Sequence, residues 1–331
     1  MIVSKTPLRI SFFSGGSDLP AFYKQEMGAA LSVTIDKFIY VCVRRTPNIG
    51  IKTMFDSVEQ VNDINEMQEG IVKETLKYHK MSGGITIASI SDILSRGSGL
   101  GSSSAFTVGL IRAISSLKRI EETGKNEWQL RPETLAEHAC NIEMSLFPVG
   151  KQDQYAAAYG GCNLFEFYDF GYVKVTGIEI DVIEKLQSNL MLVYSGKGRS
   201  ANQILQKQQN AMADKNKFNL VKASRDKAYL GFKLLMDQDF DSFGALLHDA
   251  WMDKKSVVQE ITQDYFDVIY NKALSAGALG GKLLGAGGGG FFMFYVPLEK
   301  QENVRAELTK NTECKVYDFN FYNKGSTIEL P

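Results

Sequence analysis

Three carboxylates and one arginine carry much of the chemistry open to this sequence. Asp18 closes the turn Ser14-Gly15-Gly16-Ser17-Asp18, which follows the alternating segment Leu8-Arg9-Ile10-Ser11-Phe12. A carboxylate displayed after a strand can accept paired hydroxyls, and Arg9 beside it can offset charge on a phosphoryl group. Glu143 and Asp153 stand on either side of Pro148 and Gly150, which interrupt a helix. The two acids therefore sit on different helices and can converge from two directions, one holding a metal while the other handles a proton. Asp153 falls near the start of its helix, where the dipole favours the ionised form of a proton acceptor. Each residue also has an ordinary explanation, a turn cap, a solvated strand face or a surface ion pair, so none is diagnostic alone.

The segment Ser95 to Phe106 adds a place for an anion. Gly97, Gly99 and Gly101 remove Cβ atoms from the run Gly97-Ser98-Gly99-Leu100-Gly101-Ser102-Ser103-Ser104, so successive N–H groups can approach a phosphate. A helix beginning near Ser103 contributes its unsatisfied amides and partial positive charge. The hydroxyls of Ser102, Ser103 and Ser104 can donate to phosphate or help hold magnesium. A plain glycine-serine loop with a serine cap is the alternative for this stretch taken singly.

A second glycine-rich run, Gly280 to Gly290, implies that something approaches its backbone closely. Gly285 to Gly290 satisfies GxGxxG in form, but Phe291 to Val296 after it reads as strand, so the dinucleotide-binding context fails. GxxxxGK[ST] is missing, which disfavours a P-loop NTPase, and no HRD or DFG set supports a protein kinase.

These residues need a scaffold, and 331 residues with 44% hydrophobic content can supply one large or two ordinary domains. Ile85 to Ile90 reads as the strand entering the serine loop, and Val108, Ile111, Ile114 and Leu117 mark the buried face of the helix leaving it. Strand patterns dominate the beginning, at Leu8–Phe12, Leu31–Arg45 and Ile51–Phe55. Helices are predicted over Glu66–Lys80, Pro132–Leu146 and Gln152–Tyr159, and four long amphipathic segments fill Ala201 to Ala276. The change from sheet to helix sets a boundary near residue 180, giving domains 1–180 and 181–331. A formal net charge of −1 with interspersed signs argues against a nucleic-acid or polybasic membrane role. Cys42, Cys140, Cys162 and Cys314 are far apart and read as buried thiols rather than a zinc or disulfide framework. Without a signal-peptide pattern or an apolar span, the expected location is the cytoplasm.

The four elements, in this order, resemble the GHMP kinases. Gly97 to Ser103 is similar to the family's nucleotide loop, and Gly285 to Gly290 to its C-terminal glycine motif. The resemblance implies a two-domain α+β fold, with an N-terminal half like ribosomal protein S5 domain 2 and a ferredoxin-like C-terminal half. It also implies ATP and Mg2+. Under it, Asp153 is the catalytic aspartate, with Arg9 and Lys151 near the reacting phosphate, and Glu143 and Ser103 are magnesium ligands. Residues Gly97 through Ser104 bind the nucleotide; Gly15, Gly16, Ser17, Asp18, Gly287 and Gly288 bind substrate, and Arg199 takes a distal phosphate. Within the family, the wording PLRISF–GGSD, GSGLGSS, GKQDQYAAAYGG and GKLLGAGGGGF is similar to kinases of D-glycero-D-manno-heptose 7-phosphate. The implied acceptor is then the anomeric C1 hydroxyl of that sugar. Ser14, Ser17 and Ser95 depart from the commoner family residues, two of them on the sugar side. The alternatives are a kinase for fucose, galactose or a uronic acid, and a non-catalytic sugar or nucleotide sensor. The oligomeric state, monomer or homodimer, is left open by the sequence.

Overall fold

The computed structural model describes residues 1–47, 50–93, 97–124, 130–198, 202–310 and 312–329. Its first sheet begins with β1 (Ile2–Phe13) and the long β2 (Gly28–Arg45), with α1 (Pro20–Tyr23) between them. It continues through β3 (Ile51–Met54), β4 (Val58–Val61), β5 (Ile85–Ser91), β6 (Cys162–Phe167) and β7 (Val173–Ile178). Eighteen residues allow β2 to serve two halves of the sheet: Gly28–Val33 pairs with β6, and Ile39–Arg45 with β5. Only β3 and β5 run parallel among the described pairs. Among the described residues the longer helices of this half are α2 (Ile71–Tyr78), α3 (Ser102–Thr123), α4 (Pro132–Leu146) and α5 (Gln152–Tyr159).

The anticipated face of α3 is the buried one: Val108, Ile111 and Ile114 are fully covered. That helix lies close on β1 and β2 because Gly109 carries no side chain. A Cβ there would stand 2.8 Å from Thr6 Oγ1, and Ser4 Oγ donates to the Gly109 carbonyl at 2.8 Å. The helix expected from Glu66 splits instead into a short 3-10 turn, Ile64–Glu66, and α2.

After α6 (Glu184–Ser188) comes the second sheet, made of β8 (Leu190–Tyr194), β9 (Gly280–Leu283), β10 (Phe291–Tyr295) and β11 (Lys315–Tyr317). Among the described residues four α-helices lie between β8 and β9, α7 (Asn202–Ala211), α8 (Lys215–Met236), α9 (Phe240–Val257) and α10 (Asp264–Ala276), and α11 (Gln301–Thr309) lies between β10 and β11. The antiparallel order β11-β8-β10-β9 with these crossovers is the ferredoxin-like arrangement. The chain then leaves this sheet, and β12 (Thr327–Glu329) pairs antiparallel with Val3–Lys5 of β1, completing the eight-stranded first sheet. The two halves meet where α8 packs on β1 and β2: Arg225 donates to Glu26 Oε1 at 2.8 Å, and Gly231 admits the ring of Phe13.

Cys140, Cys162 and Cys314 are buried free thiols, as expected, while Cys42 is partly exposed. Among the described residues no helix is long and apolar enough to cross a membrane, and no group of three or more metal-ligating side chains occurs.

Candidate active site

A cavity of about 1010 Å³ lies where the loops of the two halves face each other. One wall is the pair Arg9 and Asp153. Arg9 sits on β1, and its Nε and Nη2 donate to the two carboxylate oxygens of Asp153 at 2.8 and 2.6 Å. Such a fork is among the stronger polar contacts, and it fixes the plane of the carboxylate. Nη1 donates to the Gly99 carbonyl at 2.6 Å, and the Arg9 backbone N–H to the Leu100 carbonyl at 3.0 Å. Strand β1 is thereby stitched to the glycine-serine loop. Asp153 stands in the first turn of α5 with 29% of its side chain accessible, enough to meet a ligand in the cavity.

Asp18 stands beside that helix start. Its Oδ2 accepts from the Gln152 backbone N–H at 3.3 Å, and its Oδ1 from the Ser14 hydroxyl at 2.9 Å. Gly150 makes this approach possible, since a Cβ there would lie 2.0 Å from Asp18 Oδ2. Asp18 thus caps α5 from a distance in sequence while lining the cavity with Gly15 and Gly16. Burial, followed by the charge of Asp153, raises its pKa, while the bonds from Ser14 and Gln152 oppose the shift.

The glycine-serine loop ends at Gly101, whose left-handed backbone (φ 77°) starts α3. Ser102, Ser103 and Ser104 then form the first turn of that helix on the cavity wall, with Ser103 exposed. Ser98 and Ser102 share a hydrogen bond of 2.9 Å, and Ser98 Oγ accepts from the Leu100 N–H at 3.2 Å, which braces the loop. Leu100 is itself core. Ser95 and the Arg96 that follows it lie outside the described residues.

Glu143, on α4, is 1% exposed and accepts at Oε2 from Ser104 Oγ (2.9 Å) and Gln154 Nε2 (3.0 Å). Its Oε1 is buried without a hydrogen-bond partner among the described residues. Burial pushes this carboxyl up to about 7, the hydroxyls of Thr107 and Ser104 pull against that, and the charge of Asp153 adds to it. An orphaned hard oxygen on Glu143, in a cavity that the exposed Ser103 also lines, suits a magnesium-like cation.

Several expected residues fall elsewhere. Lys151 turns away from the cavity: its Nζ donates to the Gly171 carbonyl at 2.9 Å and lies 5.2 Å from the Tyr23 ring centroid. Ser17 ties the turn to β2 through the Ala29 carbonyl at 2.7 Å. Gly287 and Gly288 pack on Ile261, with the Gly288 N–H donating to its carbonyl at 2.9 Å, and Gly285 and Ala286 line the cavity in their stead. What approaches the second glycine run is the first: the Phe291 N–H donates to the Ser98 carbonyl at 2.9 Å. A Cβ on Gly290 would lie 2.3 Å from that same oxygen. Arg199 lies outside the described residues, although Gly198 before it reaches the cavity.

Two cavity cations escaped sequence reasoning. Lys254 of α9 donates to the Gly285 carbonyl, and Lys282 of β9 to the Phe12 carbonyl at 2.9 Å; both side chains are buried. Burial and then the nearby Arg9 charge hold Lys254 down to about 8, against the pull of Asp18 and Asp153. Burial, then Lys254 and Arg9, hold Lys282 well below its ordinary value. Gln152 was missed as well: its Nε2 has no partner among the described residues, and its side chain lines the cavity.

A serine-lined helix start facing an Arg–Asp fork inside an S5-like and ferredoxin-like pair of halves defines a small-molecule phosphotransferase. The sequence of residues 66–161 matches the GHMP kinases N terminal domain, and that of residues 232–314 the GHMP kinases C terminal family. The chain belongs to the GHMP kinases, a family of ATP-dependent enzymes. It is 28% identical to a D-glycero-alpha-D-manno-heptose 7-phosphate kinase of Campylobacter jejuni, over 98% of this chain and 97% of the relative. It is 23% identical to a bifunctional fucokinase/GDP-fucose pyrophosphorylase of Arabidopsis thaliana, over 95% of this chain and 32% of that longer protein. Its fold matches the crystal structure of a D-glycero-D-manno-heptose 1-phosphate kinase from B. thetaiotaomicron, with a TM-score of 0.78 and 24% identity, over 100% of this chain and 99% of the other.

Proposed function

We propose that the chain transfers the γ-phosphoryl group of ATP to the anomeric C1 hydroxyl of D-glycero-D-manno-heptose 7-phosphate in the synthesis of nucleotide-activated heptose. The observation that carries the reading is the Arg9–Asp153 fork, which presents a fixed carboxylate to the same cavity as the start of α3. Asp153 accepts the proton of the attacking hydroxyl, and Arg9 holds that carboxylate in a fixed orientation. The α3 amides and Ser102 to Ser104 hold the ATP phosphates. Glu143 through Oε1 and Ser103 hold Mg2+, which when bound neutralises phosphate charge. Asp18 takes sugar hydroxyls, and Arg199 the distal phosphate. The choice of sugar follows the Campylobacter relative, which matches along nearly its whole length. A boundary near residue 180 and a cytoplasmic location belong to the same reading.

Coupled ADP-release assays with heptose 7-phosphate, free heptose, fucose, galactose and a uronic acid test it, followed by phosphorus NMR of the product. The expected product is the 1,7-bisphosphate. Faster turnover of free fucose would shift the acceptor toward that of the Arabidopsis relative, and no sugar-dependent ADP release would mean a non-catalytic sensor.

A further inference from the structure

We propose that Lys254 is a catalytic residue, the cation that contacts the transferring phosphoryl group from the second half of the chain. The proposal deepens the kinase reading above and rests on it.

Arg9 is committed elsewhere. Of the five N–H donors of a guanidinium, one on each nitrogen is already spent, two on Asp153 and one on the Gly99 carbonyl. Its charge is also matched at contact distance by the Asp153 carboxylate. It is a holder of the base more than a donor to the phosphoryl group.

Lys254 differs on both counts. Its ammonium has three donors and gives one to the Gly285 carbonyl. Among the described residues no carboxylate forms an ion pair with it, yet it is only 7% exposed and lines the cavity. The charged groups facing it are Arg9 on β1, Asp18 on the following turn, Asp153 on α5 and Lys282 on β9. A cation buried without a contact carboxylate is costly, and an incoming polyanion removes that cost. The anchor is well placed, because Gly285 packs on Gly99, whose carbonyl receives Arg9. The two cations therefore grip the two interlocked glycine loops, one from each half of the chain.

In the step itself the acceptor oxygen forms a bond to the γ-phosphorus, and the bond from that phosphorus to the β,γ-bridging oxygen breaks. The electron pair of the broken bond leaves with ADP, and the hydroxyl proton passes to Asp153. Lys254 donates to the phosphoryl oxygens on which charge accumulates. Lys282, holding the Phe12 carbonyl, is a positioning residue for the end of β1.

The test uses Lys254→Met and Lys254→Arg in the full chain. For Lys254→Met, kcat is expected to fall by about 10²–10³-fold, equally with phosphorylated and unphosphorylated acceptors, while calorimetric affinity for ADP stays within about threefold. The extra affinity for ADP with aluminium fluoride, a mimic of the transferring group, is expected to vanish. Wild-type kcat/KM should decline as pH rises past about 8, where Lys254 of the free enzyme loses its proton. Lys254→Arg should restore part of kcat and abolish that decline. An alkaline decline that persists in Lys254→Arg overturns the proposal, as does a Lys254→Met effect confined to the KM of the acceptor. If Lys254→Met does not fold, the Lys254→Arg pH profile decides. The aluminium fluoride titration needs no particular sugar, so a wrong acceptor assignment and a wrong role for Lys254 give different results.

Discussion

A Cβ placed on Gly285 would lie 2.7 Å from the Cα of Gly99, so the glycine loops of the two halves touch backbone to backbone. Neither loop can retreat, because the Phe291 N–H and the Ser98 carbonyl join the same seam.

Gly285→Ala should therefore be costly twice over. Gly285 has φ 68°, which a side chain disfavours, and the nearest obstacle is backbone rather than a movable side chain. A loss of about 1–3 kcal/mol in unfolding free energy is expected, with weakened ATP binding as the Gly99 loop shifts. Denaturant unfolding and nucleotide calorimetry check both, and an unchanged ATP affinity would show that the seam does not support the phosphate loop.

Glu143 gives a pH dependence. Its folded pKa of about 7 lies above the ordinary 4.5, so its contribution to stability is fully present below the ordinary value and is lost as pH rises through 7. The metal-free protein should lose on the order of 3 kcal/mol across that window, and Glu143→Gln should remove the dependence and be the more stable form at pH 8. The same variant should lose magnesium-dependent turnover. In the wild type, Mg2+ binding below pH 7 should release a proton, measurable by calorimetry in buffers of different ionisation enthalpy.

Asp153 and Lys151, close neighbours in sequence, should separate sharply. Asp153→Asn is expected to cut turnover by roughly 10²–10⁴-fold while ATP affinity stays close to wild type. Lys151→Met should leave turnover within about threefold, because Lys151 bonds Gly171 and covers Tyr23 outside the cavity. Steady-state kinetics on both variants decide, and comparable losses would restore Lys151 to the chemistry.

Much of this was legible in the chain, and the illegible parts have a common cause. Pro132–Leu146, Gln152–Tyr159 and Leu190–Tyr194 have the boundaries that their proline, glycine and apolar signals imply. Those signals are local. The Arg9–Asp153 fork joins residues far apart in sequence, and only the family resemblance put both at one reaction. Lys254 was hidden because Lys254-Lys255 in an amphipathic helix reads as a solvated face. It is buried because α9 lies flush on β9, where a Cβ on Gly280 would meet the Gly244 carbonyl at 2.1 Å. The glycines that allow this packing also leave β9 without a strand pattern in the sequence. Gly287 and Gly288 were assigned to substrate for a similar reason, since the sequence announces a close approach without saying by what.

The pairing of Thr327–Glu329 with Val3–Lys5, reinforced by the 2.8 Å bond between Thr6 and Ser326, has a consequence for how the molecule is made. On the ribosome, the outer edge of β1 waits until the whole of the second sheet has been made before its partner emerges. Until then the nascent first half carries an uncovered strand edge, the kind of surface that recruits chaperones or pairs with a neighbouring nascent chain. Completion of the first sheet thus has to follow synthesis of the second.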